Sequence, residues 1–183
     1  MEFPDNSINR VRYFTALVSA RPNDPQQPVR QQTYLRALET LPCLTIHKGT
    51  FLSHPVRMPL VTPPEVGPNT AEVWKTEEKG SDVNLATFLL LDVFDNDCQA
   101  VIVISNDSDL AEPIKQVKNR FGVKVVVLHP IRPQIPEKKP RPNYELVKAA
   151  SKSVILKESS LSASQFPDKL TDQHGTITKP PGW

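Results

Sequence analysis

Two short apolar runs, Val101-Ile102-Val103-Ile104 and Val125-Val126-Val127-Leu128, limit the folds open to this chain more than any other feature. Neither run alternates polar with apolar residues. Both are therefore expected to be buried on two faces, as strands of a parallel sheet are. Between them, Leu110 to Phe121 reads as a helix, with Pro113 tolerated in the first turn and Gly122 as its stop. Strand, helix and strand in that order predict a βαβ unit with a right-handed crossover.

The rest of the chain extends this α/β pattern. Val11 to Val18 is rich in β-branched and aromatic residues and reads as a strand. Val29, Tyr34, Leu35, Ala37, Leu38 and Leu41 fall on one helical stripe, and Leu44 to Leu52 reads as a second strand. Ser81 to Asp95 predicts a helix that is apolar on most sides, hence buried. Asn143 to Ser151 suggests a short helix, and Ser153 to Leu156 a small edge element. The 19 prolines concentrate at 21–29, 55–68, 130–142 and the C-terminal end, which marks those stretches as connectors. The expected organisation is a disordered lead-in over 1–9, one Rossmann-like domain over 10–157 and an extended tail over 158–183. Residues 54–78 form a proline-rich flap or hairpin, with a short strand at Ala71 to Lys75.

At 183 residues, 38% hydrophobic and 23% charged, the chain can bury one real core. A net charge of +2 gives no general attraction for nucleic acid, so any such partner must be met by a local patch. Arg10, Arg12, Arg30 and Arg36, with Tyr13 and Tyr34, are the candidates for that patch; scattered surface charge is the plainer account. Cys43 and Cys98 stand far apart without ligand spacing, which argues against zinc and for reduced thiols. His47, His54, His129 and His174 show no ligand spacing either. The start lacks a signal-peptide pattern and no apolar run approaches a membrane span, so the expected address is cytoplasmic. No glycine-rich dinucleotide fingerprint follows any strand.

The chemistry-bearing residues gather between Lys79 and Asp109. Asp82 opens a helix, while Asp107 and Asp109 follow directly after a strand, where open α/β sheets bind ligands. Each has a plain structural account. A carboxylate suits the positive end of a helix dipole, and Ser81, Ser105, Asn106 and Ser108 are ordinary capping residues. Taken together, three carboxylates at element ends facing one crevice would repel one another. A hard divalent cation relieves that repulsion, and oxygen ligands suit Mg²⁺ or Mn²⁺.

Lys79-Gly80-Ser81-Asp82-Val83 and Ser105-Asn106-Asp107-Ser108-Asp109-Leu110 closely resemble the motifs of the NYN domain, a branch of the PIN-like nucleases. The resemblance extends to Tyr13-Phe14-Thr15-Ala16 and to Gln32-Thr33-Tyr34-Leu35-Arg36-Ala37-Leu38. It implies a mostly parallel sheet with helices on both faces and metal-dependent hydrolysis of RNA. Asp82, Asp107 and Asp109 would be both the catalytic and the metal-binding residues, holding one or two Mg²⁺ or Mn²⁺ ions. Lys79, Asn84, Ser105, Asn106 and Ser108 would contact substrate or support the carboxylates. Asn106 stands where relatives usually carry glycine, and asparagine tolerates the left-handed backbone such a turn can require.

One departure bears on the fold. The family's first strand, with its Asp-Gly-aromatic-Asn signature, is central in the sheet order 3-2-1-4-5, and these residues do not contain it. A truncated reading frame is the favoured explanation; a degenerate member, and a chain completed by a second copy or another partner, are the others. A non-catalytic RNA- or protein-binding module of the same fold is therefore the alternative function. Some proteins similar to NYN domains carry an assignment as NADH-dependent pyridine hydroxylases (6-hydroxy-3-succinoylpyridine monooxygenase-like), which gives a third, weaker reading.

Overall fold

The structure is a computed structural model and describes residues 7–132 and 141–181. Its elements alternate as the apolar pattern requires. β1 (Val11–Ala16), α1 (Gln27–Glu39), β2 (Leu44–Pro59) and β3 (Thr70–Lys79) form the N-terminal part. α2 (Ser81–Phe94), β4 (Ala100–Ile104), α3 (Ala111–Phe121), β5 (Lys124–His129), α4 (Tyr144–Ala149) and β6 (Lys152–Ile155) follow. α5 (Glu158–Ala163), β7 (Lys169–Asp172) and β8 (Gly175–Thr178) complete the chain. It is a mixed α/β fold whose parallel strands are crossed by helices. Met1 to Asn6 of the expected lead-in, and most of the expected 130–142 linker, lie outside the described residues.

The parallel strands are divided between two sheets. β1 pairs parallel to β2, and β2 pairs antiparallel to β3, giving the order β1-β2-β3. The second sheet, β4-β5-β6, is parallel throughout. Among the described residues, β1 and β4 are edge strands of their sheets and do not pair with each other. These are the two strands between which the sheet order 3-2-1-4-5 would place the family's first strand.

α2 joins the two sheets. Its Phe88 ring packs on Phe14 and His47 of the first sheet, at centroid distances of 6.1 and 4.2 Å. Arg12 lies over the same ring at 4.5 Å and gives Asp92 two hydrogen bonds, Nε–Oδ2 at 2.7 Å and Nη2–Oδ1 at 2.5 Å. On its other side, Leu89 and Val93 enter the core with Val103, Leu110, Ile114, Val117, Val125, Val127 and Leu146. The register matches Val101 with Val125 and Val103 with Val127, so these four share the helix-covered face.

Three expectations change here. β4 is covered on one face only: Val103 lies in the core, while Ile102 and Ile104 are 47% and 58% exposed. α2 is likewise not buried all round, since Val83, Leu91 and Phe94 face solvent while Leu89 and Val93 do not. The tail, expected to be extended, folds into α5 and the β7–β8 hairpin. That hairpin docks on α1 through a two-point Arg36–Asp172 pair at 2.7 and 2.9 Å. The 54–78 region, expected to be a flap or hairpin with one short strand, lies in a long hairpin: β2 runs on to Pro59, and β3 starts at Thr70.

Candidate active site

Asp82 stands in the first turn of α2, where the unpaired N–H groups of a helix favour negative charge. The residue before the helix, Gly80, has φ +99°, a left-handed conformation that side chains strain to adopt. It lets β3 turn straight into α2 and aim the N-terminus of the helix at the site. Gly49 of β2 makes a second close approach. A Cβ there would lie 2.6 Å from the Lys79 carbonyl oxygen and 3.0 Å from Ser81 Oγ. Ser81 does not cap the helix; its hydroxyl is buried without a partner among the described residues.

Asp107 and Asp109 are delivered by β4. Beyond Ile104, Ser105 N–H still bonds to the Leu128 carbonyl at 3.2 Å, and the chain then leaves the sheet. Ser105 Oγ accepts the Asp107 N–H at 3.1 Å, and Asp107 Oδ1 accepts the Asp109 N–H at 3.0 Å. Asp107 thereby caps a single 3-10 turn at Ser108–Leu110 that leads into α3. Leu110, only 1% exposed, pins the turn to the core and leaves Asp107, Ser108 and Asp109 facing solvent.

These two element ends meet. Partial desolvation at the helix terminus, followed by the charges of Asp107, Glu78 and Asp109, raises the Asp82 carboxyl above its ordinary pKa. Asp107, Glu78 and Asp109 thus act on Asp82 across the opening between α2 and the β4–α3 loop. Glu78 was not singled out in the sequence. Its position in the Glu77-Glu78-Lys79 strand end, one residue pair from Gly80, was the available signal.

The supporting residues divide. Asn84 is partly buried in the first turn of α2, and its backbone N–H bonds to the Gly80 carbonyl at 2.8 Å. Lys79 is held by Glu77 at 3.0 Å; Glu77 also bonds Lys75 at 2.6 Å, and the two lysines bring its pKa down to about 2. Asn106 does not take the left-handed backbone that its position suggested. Its side chain is used instead: Oδ1 accepts the Asn143 N–H at 2.9 Å and lies 2.8 Å from His129 Nδ1. The arginine patch is consumed internally. Arg10 and Arg12 bind Asp92, Arg30 binds Asp24, and Arg36 binds Asp172. Tyr13 and Tyr34 meet edge to face at 6.1 Å.

The donor set of Asp82, Asp107 and Asp109 is entirely hard oxygen and mutually repulsive, which fits a divalent cation. Among the described residues, no three His, Cys, Asp or Glu side chains converge closely enough to enclose an ion. The arrangement is an open one. It suits Mg²⁺, which is usually held by one or two carboxylates while waters and substrate phosphates fill its other positions.

The model of the NYN domain family matches residues 52–160, from within β2 into the start of α5, and Asp82, Asp107 and Asp109 all lie inside that match. The chain belongs to the NYN domain family. It is also 28% identical to the 6-hydroxy-3-succinoylpyridine 3-monooxygenase HspA of Pseudomonas putida (strain DSM 28022 / S16). That match covers 94% of this chain and 57% of the relative, so the chain spans a little over half the relative's length. A crystal structure of a protein of unknown function from Vibrio parahaemolyticus RIMD 2210633 aligns with a TM-score of 0.47 and 14% identity, over 81% of this chain and 69% of that one. Among the described residues, no helix is long and apolar enough to cross a membrane.

Proposed function

We propose that the NYN domain of this protein is a ribonuclease whose Asp82, Asp107 and Asp109 bind a divalent metal ion. The observation that supports this most is the raised pKa of Asp82, which comes first from partial burial and then from the charges of Asp107, Glu78 and Asp109 around it. NYN and PIN-like nucleases use divalent metals, and the donor set is suited to Mg²⁺ or Mn²⁺. When bound, the ion supplies positive charge and Lewis acidity beside the scissile phosphate. The chain's own residues set the geometry. Asp107, fixed by Ser105 and its own cap to Asp109, presents a carboxylate at the end of β4. Asp82 faces it from a helix terminus that also attracts the phosphate anion. Asn84 and Ser108 flank the opening, and Lys79 can meet a phosphate if it leaves Glu77. We place the domain at residues 10–157, with RNA as partner.

The test uses the full-length protein with single-stranded RNA and Mn²⁺ or Mg²⁺. Asp107→Asn is expected to lower cleavage by roughly 100-fold or more, about 2.7 kcal/mol of barrier. Mn²⁺ binding followed by electron paramagnetic resonance should weaken in the same variant. A full-length protein that neither cleaves RNA nor binds Mn²⁺ overturns the reading. Mn²⁺ and RNA binding without cleavage would instead identify a non-catalytic binding module.

The name of the Pseudomonas putida relative supports a second reading, monooxygenase chemistry on 6-hydroxy-3-succinoylpyridine. Turnover of that compound by the full-length protein, unaffected by Asp107→Asn, would favour it over the nuclease.

A further inference from the structure

His129 is the one buried polar or charged residue of the described core, fully enclosed at the end of β5. Its two ring nitrogens have different neighbours. Nδ1 lies 2.8 Å from Asn106 Oδ1, and Nε2 lies 2.5 Å from Ser153 Oγ on β6. The proton assignment follows from a third bond. Asn106 Oδ1 also accepts the backbone N–H of Asn143 at 2.9 Å, so it is the amide oxygen that faces the ring. Nδ1 must then carry the proton and donate it, which leaves Nε2 to accept the Ser153 hydroxyl proton. Burial disfavours the charged ring and lowers the His129 pKa, which keeps this neutral tautomer.

The bonds run on to the site. Asn106 adjoins Ser105 and Asp107, and the Ser105–Asp107–Asp109 chain of hydrogen bonds sets the two exposed carboxylates. Asn143 in turn caps α4 through the N–H groups of Glu145 and Leu146, at 2.9 and 3.3 Å. One asparagine oxygen thus ties the β4–α3 loop to β5 and to the start of α4. Removing the imidazole would leave that oxygen with one donor and Ser153 facing an empty space, in a place water reaches poorly.

We propose that His129, held as its Nδ1–H tautomer by the Asn106 amide oxygen, is a positioning residue that fixes Asn106 and through it the loop carrying Asp107 and Asp109. Its consequence for metal affinity rests on the nuclease reading above; its consequence for the loop does not. Groups that orient metal-binding carboxylates typically contribute about 10- to 100-fold to affinity.

The test uses the full chain labelled with ¹⁵N. Long-range ¹H–¹⁵N correlation at neutral pH is expected to show His129 protonated at Nδ1 and bare at Nε2; the opposite tautomer overturns the proposal. His129→Leu should shift the amide signals of Asn106, Asp107 and Asp109 and weaken Mn²⁺ binding by about 10- to 100-fold. His129→Asn, whose amide can still donate to Asn106, should restore most of both. Unmoved Asp107 and Asp109 signals in folded His129→Leu refute the positioning role. Should that variant fail to fold, Asn106→Ala decides, because loss of the acceptor should leave His129 in mixed tautomers and shift the Asp107 and Asp109 amide signals. Unchanged signals there count against the proposal. Wild-type protein that binds no Mn²⁺ sinks the metal reading alone, while the tautomer and amide shifts still judge His129.

Discussion

The two sheets of this protein are built from similar residues and packed to different degrees. In β4-β5-β6, the central strand carries Val125, Val126 and Val127 without any exposed surface, and Ile114 and Val117 of α3 close over it. In β1-β2-β3, the strands beyond Gly49 leave the body as a two-stranded ribbon, with Leu52 53% and Trp74 74% exposed. Two-stranded ribbons are marginal alone in water, because each strand has an unpaired edge and little buried face. The carboxylate cluster sits where the two regimes meet. Asp107 and Asp109 come from the packed sheet, Glu78 from the ribbon, and Asp82 from the helix that touches both. A site of this kind takes its rigidity from one side and its freedom from the other.

Cavity formation in the packed half should be the most damaging change. Ile114→Ala removes a fully buried side chain from the middle of the core and is expected to cost about 2–5 kcal/mol. Urea unfolding measures it. A cost below ~1 kcal/mol would mean that the core can collapse around the gap, and that the contrast between the halves is weaker than their burial implies.

The contact between the halves comes next. Asp92 on α2 accepts hydrogen bonds from Arg12 of β1 and from Arg10 just before it, and the Arg12 hydrogen bonds, opposed in part by burial, lower its pKa. Asp92→Asn is expected to cost about 1–3 kcal/mol, as charge-assisted bonds do when one partner is lost. The pH dependence follows from the direction of that shift. The unfolded chain binds the Asp92 proton more tightly than the folded one, so this stabilisation is complete above the unfolded pKa, about 4. It disappears as the pH falls through the lowered folded value. Unfolding curves of the wild type and the variant should therefore differ at pH 7 and converge well below pH 4. Curves that stay apart in acid would show that the pair acts through packing rather than charge.

The degree of packing also explains what the sequence disclosed. The apolar runs of β4 and β5 and the Gly122 stop were legible because burial leaves a pattern in residue type. The length of the ribbon was not, since Pro55 and Pro59 argue against a strand. They are accommodated because the β1 ladder ends at Gly49, so no partner on that edge asks for their missing N–H groups. β7 and β8 span four residues each, too short for any periodicity, and an ion pair with Arg36 holds them to α1. At the site, the carboxylates stood out by lying at element ends. Gly49 did not, and Asn106 stood out as a loop residue but not for its bonds to His129 and Asn143, because a close backbone approach and a side-chain link between elements exist only once the chain has folded.

Gly49 offers a direct probe of that junction. Gly49→Ala would drive a methyl group against the Lys79 carbonyl, a backbone atom that can yield only if the start of α2 moves. The expected cost is about 1–3 kcal/mol, with altered amide signals at Ser81 and Asp82. A neutral result would show that the ribbon slides freely past the helix terminus and does not position Asp82.

The smallest effect is expected at Trp74, opposite Pro55 on an open face of the ribbon. A large aromatic ring that buries little area contributes little to folding, however apolar it is. Trp74→Thr should therefore change stability by no more than about 0.5 kcal/mol, and β-branched threonine should keep the strand intact. If unfolding shows a loss above ~1 kcal/mol that grows with protein concentration, Trp74 is being buried by association. The ribbon would then be packed in solution as tightly as the other sheet, by a surface that a single chain does not provide.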